Sequence, residues 1–123
     1  MQDGRGRIVG IVDDDAAVRD SLRFLLEAAG FGVITFESAD EFLATADPDA
    51  IVCLLLDQHM PRVTGLELLR RFHEAGQRLR VALMTGSPSP QLTRQALQLG
   101  AVVVLEKPLT DQALFQFVGE ATG

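Results

Sequence analysis

Five apolar runs alternate with amphipathic helical stretches along this chain, and that alternation constrains its fold more than any other feature. The runs fall at residues 7–12, 32–36, 50–56, 81–85 and 101–105. Most are too continuously apolar to keep one face in water, which marks strands covered on both sides. Between the first two runs, Val18, Leu22, Leu25, Leu26 and Ala29 form an apolar stripe at helical spacing, predicting a helix over about 15–29. Ser38-Ala-Asp-Glu41 and Thr64-Gly-Leu-Glu67 read as capping boxes, in which hydroxyl and glutamate each satisfy an orphan backbone N–H. They predict helices over about 39–46 and 65–75. Pro90 suits the first turn of a fourth helix, and Thr110 caps a fifth. Gly30, Gly76 and Gly100 stand where helices should stop.

Five β-α repeats imply parallel strands joined by right-handed crossovers. The expected fold is α/β: a doubly wound (βα)5 three-layer sandwich with helices on both faces of a five-stranded parallel sheet. At 123 residues the chain reads as one domain, 1–123, with a core over about 7–119. Residues 1–7 read as a loose lead-in.

Charge and cysteine usage narrow the setting. A formal net charge of −6 argues against direct nucleic-acid binding, which requires clustered Lys and Arg. The local arginine groups (Arg5/Arg7, Arg70/Arg71, Arg78/Arg80) carry no interleaved aromatics and read as solvated surface. Cys53 is the only cysteine, so no intramolecular disulfide forms and a reducing, cytoplasmic setting is the default. Inside a strand run it reads as a small buried hydrophobe. No apolar stretch reaches the ~18 residues of a membrane span.

Three of the strand runs end in charge. Ile8–Val12 runs into Asp13-Asp14-Asp15, Ile51–Leu56 into Asp57, and Ala101–Leu105 into Glu106-Lys107-Pro108. In open α/β sheets the C-terminal strand edge is where ligands bind. Carboxylates gathered there repel one another unless a cation neutralises them. A hard divalent ion with oxygen ligands, Mg²⁺ or Mn²⁺, suits that site better than zinc. His59 and His73 lie apart, without ligand-type spacing. Open positions on such an ion receive phosphate oxygens, with Lys107 as a point charge for the same phosphate. Thr85 ends the fourth run beside Gly86 and offers a hydroxyl at the same edge. Acid, metal, hydroxyl and ammonium together suit phosphoryl transfer to a carboxylate nucleophile.

The motifs Val12-Asp-Asp-Asp15, Leu56-Asp57-Gln-His-Met-Pro61 with Gly65, Thr85-Gly86 and Glu106-Lys107-Pro108 resemble the receiver domain of bacterial two-component response regulators. The likeness covers roughly residues 7–119. The stretch Val12–Leu22 is most similar to the subgroup joined to LuxR-type helix-turn-helix modules. The resemblance implies a flavodoxin-like fold with strand order 2-1-3-4-5. It implies that Asp57 accepts phosphate from a histidine kinase, that Asp13 and Asp14 hold Mg²⁺, and that the His59 backbone carbonyl completes the metal shell. Asp15 is expected to cap the first helix. Thr85 matches the switch hydroxyl and Lys107 the phosphate-contacting lysine, with a cis Lys107–Pro108 bond. The face at about 90–119 would meet an effector, an attached output domain or a second copy in a weak or phosphorylation-dependent homodimer. Two features depart from the family pattern. Val104 stands where an aromatic usually reports phosphorylation, and Ser87-Pro-Ser-Pro90 makes the following loop proline-rich.

Two other functions share some of these parts. A haloacid-dehalogenase-type phosphatase also uses a strand-end aspartate, Mg²⁺ and lysine, but wants Asp-x-Asp on the first strand and a cap insertion. A flavodoxin-like electron carrier wants a Ser/Thr/Gly-rich phosphate loop where this chain has three aspartates. Of the aromatics, Phe115 and Phe117 lie two apart on one helix, so one is expected to be exposed for a partner.

Overall fold

The strands at Ile8–Val12, Cys53–Asp57 and Val81–Thr85 are apolar on both faces because both are covered. The structure, a computed structural model, describes residues 7–122. The strands are β1 (Ile8–Val12), β2 (Gly32–Phe36), β3 (Cys53–Asp57), β4 (Val81–Thr85) and β5 (Val103–Glu106). The helices are α1 (Ala16–Ala28), α2 (Ala39–Thr45), α3 (Gly65–Glu74), α4 (Pro90–Gln98) and α5 (Asp111–Thr122). All strand pairings are parallel, in the order β2-β1-β3-β4-β5. The expected doubly wound sandwich is therefore present, and every strand ends at one edge.

Alternation along each strand divides the core in two. Val12, Leu54, Leu56 and Leu83 point to one side, where Phe42 of α2, Leu68, Leu69 and Phe72 of α3 and Ala96 of α4 cover them. Val9, Ile11, Cys53, Leu55, Ala82 and Met84 point to the other, under Leu22 and Leu26 of α1 and Leu114, Phe117 and Val118 of α5. Leu54, Leu55 and Leu56 are consecutive and all fully buried, each contributing roughly 2 kcal/mol of transfer free energy. On the first side Phe42 sits edge-on to Phe36 at 4.9 Å and to Phe72 at 5.6 Å. Cys53 is buried as expected, and burial pushes its thiol up to about 12 against a small opposing effect of Arg80.

Local signals placed most boundaries, and the departures have physical causes. The run at 50–56 becomes a strand only at Cys53. Pro48–Ala50 forms a single 3₁₀ turn capped by Asp47, whose carboxylate accepts from Asp49 N–H at 3.1 Å. The run at 101–105 starts its strand at Val103, just after the turn that follows Gly100. Gly30, Gly76 and Gly100 do close α1, α3 and α4, each with φ between +69° and +104°.

Both capping boxes are half formed. Ser38 Oγ accepts from Glu41 N–H, but the Glu41 carboxylate takes the N–H of Glu37 at 2.7 Å instead of the cap residue's own. Thr64 Oγ1 accepts from Glu67 N–H, while Glu67 pairs with Arg71 one turn on. The hydroxyl is the part that matters: Ser38→Ala should cost about 1 kcal/mol in chemical denaturation.

Two side-chain expectations need correction. Arg7 is not simply solvated, because its guanidinium stacks over Phe31, 4.8 Å from the ring centroid. Arg5 and the rest of the lead-in lie outside the described residues. Phe115 is half-buried against the α1/α5 core and is not the exposed aromatic. That one is Phe24 of α1, 73% exposed and off the helix's apolar stripe.

Candidate functional site

The C-terminal edge of the sheet carries the three buried polar side chains among the described residues: Asp13, Asp57 and Thr85, each at most 2% exposed. Parallel register puts them side by side. Val12 pairs with Leu56, so Asp13 follows β1 next to the end of β3, and Asp57 pairs with Met84, one residue before Thr85. The lysine arrives from the far side. Lys107 N–H donates to the Thr85 carbonyl at 2.9 Å, which carries its side chain back over the edge. The Lys107–Pro108 bond is cis, as expected.

Lys107 Nζ then bridges the acids, 2.9 Å from Asp13 Oδ2 and 3.3 Å from Asp57 Oδ1. Asp13 Oδ1 also accepts from Asp15 N–H at 2.9 Å, and Asp57 Oδ1 lies 3.4 Å from His59 N–H. Asp14 is exposed at the rim, yet one oxygen from each of Asp13, Asp14 and Asp57 lies within 4.8 Å of the others. Asp15 turns away and caps α1, accepting from Ala17 N–H. The site residues named from the sequence are therefore neighbours.

The charges are not balanced. Burial, and then the Asp13 charge, push the Asp57 carboxyl up to about 6, with Lys107 and the His59 N–H opposing them. For Lys107, burial works to lower the pKa. Its hydrogen bond and charge contact with Asp13, together with Asp57, outweigh burial and raise it. Two buried carboxylates against one ammonium leave negative charge in excess. Three close carboxylate oxygens with that excess fit a hard divalent cation.

Four residues support the site. Arg19 Nη1 donates to the Asp13 carbonyl at 2.8 Å from the first turns of α1. Gln58 pins both ends of the loop after Asp57. Its N–H donates to Met84 O, its carbonyl accepts from Gly65 N–H, and its side-chain oxygen accepts from Leu66 N–H at 2.7 Å. Gly65 has to be glycine, because a Cβ there would collide with the Asp57 carbonyl and stand 2.7 Å from Leu83 Cδ1. The fourth is His59, whose side chain is exposed while its Nε2 lies 3.1 Å from Thr85 Oγ1.

Comparison with known proteins decides what this edge belongs to. The profile of the response regulator receiver domain matches residues 9–119. The chain belongs to the response regulator receiver family. This receiver is 41% identical over 111 residues to the transcriptional regulatory protein FixJ of Bradyrhizobium diazoefficiens, covering 90% of the chain and 54% of FixJ. It is 37% identical to the transcriptional regulatory protein TdiR of Thauera aromatica, covering 96% of the chain and 52% of TdiR. The crystal structure of FixJ-N superposes with a TM-score of 0.83 at 34% identity, covering 99% of this chain and 95% of that one. The chain thus spans about half the length of the curated relatives it matches.

Receivers are the phosphorelay modules of two-component systems, work with histidine kinases, and bind Mg²⁺ at an acidic pocket of the kind Asp13, Asp14 and Asp57 form here. The phosphatase alternative is not supported. The receiver profile covers residues 9–119, and residues 7–122 hold five β-α units with no cap insertion. No helix among the described residues is long and apolar enough to cross a membrane.

Proposed function

We propose that Asp57 is the phosphoacceptor of this receiver and that Lys107 and Thr85 serve the phosphoryl group placed on it. The observation that carries the reading is the Lys107 ammonium within 3.3 Å of both Asp13 and Asp57, at a strand edge where both acids are buried. In the transfer, an Asp57 carboxylate oxygen attacks phosphorus, the bond from phosphorus to the donor's leaving atom breaks, and an acyl phosphate forms. Nothing is oxidised or reduced. Lys107 neutralises the non-bridging oxygens of the incoming group, and the Thr85 hydroxyl donates to one of them. Asp13, Asp14, Asp57 and the His59 carbonyl are the residues that would hold Mg²⁺ or Mn²⁺, and the bound ion would supply positive charge and open positions for phosphate oxygens.

The physiological donor is a sensor histidine kinase, with a small phosphodonor as substitute, in a cytoplasmic setting. The chain acts as one receiver unit over residues 1–123 and takes part in its own phosphorylation and hydrolysis without turning over another substrate. Its reader is an effector or attached output module at the face of about 90–119. Val104 is half-buried against the α2–α4 side of the core, so no ring follows Thr85 there and phosphorylation should change self-association only modestly.

Acetyl phosphate tests the reading. Intact mass should rise by one phosphoryl group with Mg²⁺ present and not with chelator. An Asp57→Asn variant that still gains the group at the native position sinks it. The metal set has its own check by Mg²⁺ titration. Loss of an outer-sphere partner alone commonly costs ten- to a hundredfold, so Asp13→Ala and Asp14→Ala should each weaken binding by at least about tenfold. Unchanged affinity in both would reduce the acids to structural roles.

A further inference from the structure

The Thr85 hydroxyl is fully buried, and it makes no hydrogen bond to Asp13 or Asp57. Among the described residues its partners are Ser87 N–H, at 3.0 Å, and His59 Nε2, at 3.1 Å. A hydroxyl has one proton to give and two lone pairs to offer. Ser87 uses one lone pair, and His59 takes either the second or the proton, according to its tautomer. In both cases the oxygen is tied through His59 to the β3–α3 loop and is not bonded to Asp57.

We propose that His59 is a positioning residue, a latch that holds the Thr85 hydroxyl in the unphosphorylated protein and must release it when phosphate arrives. The proposal rests on Asp57 and Thr85 having the roles given above. Its physical content is a competition. The loop that follows Asp57 is fixed at its root by Gln58 and Gly65, so the imidazole is presented to Thr85 from a firm base. Reaching a phosphoryl oxygen on Asp57 forfeits the His59 bond, and the resting state is favoured by the net worth of that bond. Removing the imidazole therefore removes a restraint on the active state.

Two measurements test it. In the resting protein with chelator, the His59 imidazole nitrogen resonances should differ between native chain and Thr85→Val; identical resonances overturn the latch. With Mg²⁺ and beryllofluoride as the phosphoryl mimic, His59→Ala should bind the mimic about two- to tenfold more tightly than the native chain, the range one hydrogen bond spans. His59→Gln, whose amide reaches about as far as Nε2, should restore near-native affinity. In a Thr85→Val background the His59→Ala effect should vanish. An equal effect in that background shows that His59 acts by another route and refutes the latch. Should the native chain fail to bind beryllofluoride at all, the phosphoacceptor reading falls and the latch's function with it, while the imidazole resonances still decide whether the bond exists.

Discussion

Replacing Asp57 with asparagine should make the metal-free protein more stable at about pH 8, by about 2–3 kcal/mol. Asp57 is 2% exposed and shares its pocket with the Asp13 charge, so its carboxyl rises from 3.8 to about 6 on folding. Each pKa unit is about 1.4 kcal/mol of differential interaction. A folded pKa above the unfolded one means that the native state binds the proton more tightly. The stability linked to this group is fully present below the unfolded pKa of 3.8 and is lost as pH rises through about 6. Asparagine keeps the shape and an acceptor oxygen for Lys107 but carries no charge. The variant's advantage should therefore be largest above pH 6 and fade towards pH 4. Denaturant midpoints of both proteins across that window, with chelator throughout, measure it. Carboxylates outside the pocket titrate in both proteins and cancel in the difference. A variant less stable than the native chain at about pH 8, or a gain that does not depend on pH, would show that the Asp57 charge is already compensated.

Lys107→Ala should act in the opposite direction. It removes the cation that lies 2.9 Å from Asp13 and 3.3 Å from Asp57, leaving two buried carboxylates facing each other. Breaking a fully buried pair from one side costs about 3–5 kcal/mol. Lys107 is 21% exposed, so water offsets part of that, and about 2–3 kcal/mol is expected near neutral pH with chelator. The loss should shrink on acidification, and it should shrink on adding Mg²⁺, because a divalent ion replaces the missing charge. Mg²⁺ affinity should be equal or tighter in the variant and acetyl phosphate labelling slower, since the ammonium repels the ion and attracts phosphate. The stabilisation that Mg²⁺ gives should then be at least as large for Lys107→Ala as for the native chain. A variant that loses Mg²⁺ binding, or that matches native stability in chelator, would contradict this placement of the charge.

The fold was legible in the sequence because its signals are local and redundant. The run ending in Leu54-Leu-Leu56 is too continuously apolar to keep one face in water, and Ser38, Thr64 and Thr110 each cap the helix they precede. What local reading missed was a choice between competing partners. Asp47 and Pro48 close a turn that delays β3, and Glu41 and Glu67 find better partners than the N–H groups of the caps. In the site, the convergence of Asp13, Asp57 and Lys107 follows from parallel topology alone, because every strand's C-terminal end lies at one edge. The Arg19 bond to the Asp13 carbonyl and the His59 bond to Thr85 depend on loop paths and rotamers. An arginine near the start of a helix and a histidine two residues after an aspartate carry no signal of either.

The reading stands or falls on which residue carries the phosphoryl group. Acyl phosphates, unlike phosphate esters, are reduced by borohydride to the alcohol. Borohydride treatment after acetyl phosphate and Mg²⁺, followed by peptide mass mapping, should place homoserine at position 57 and leave Asp13 and Asp14 as aspartate. Homoserine at either of those positions, or none at Asp57 in a protein that has gained the group, would contradict Asp57 as the phosphoacceptor.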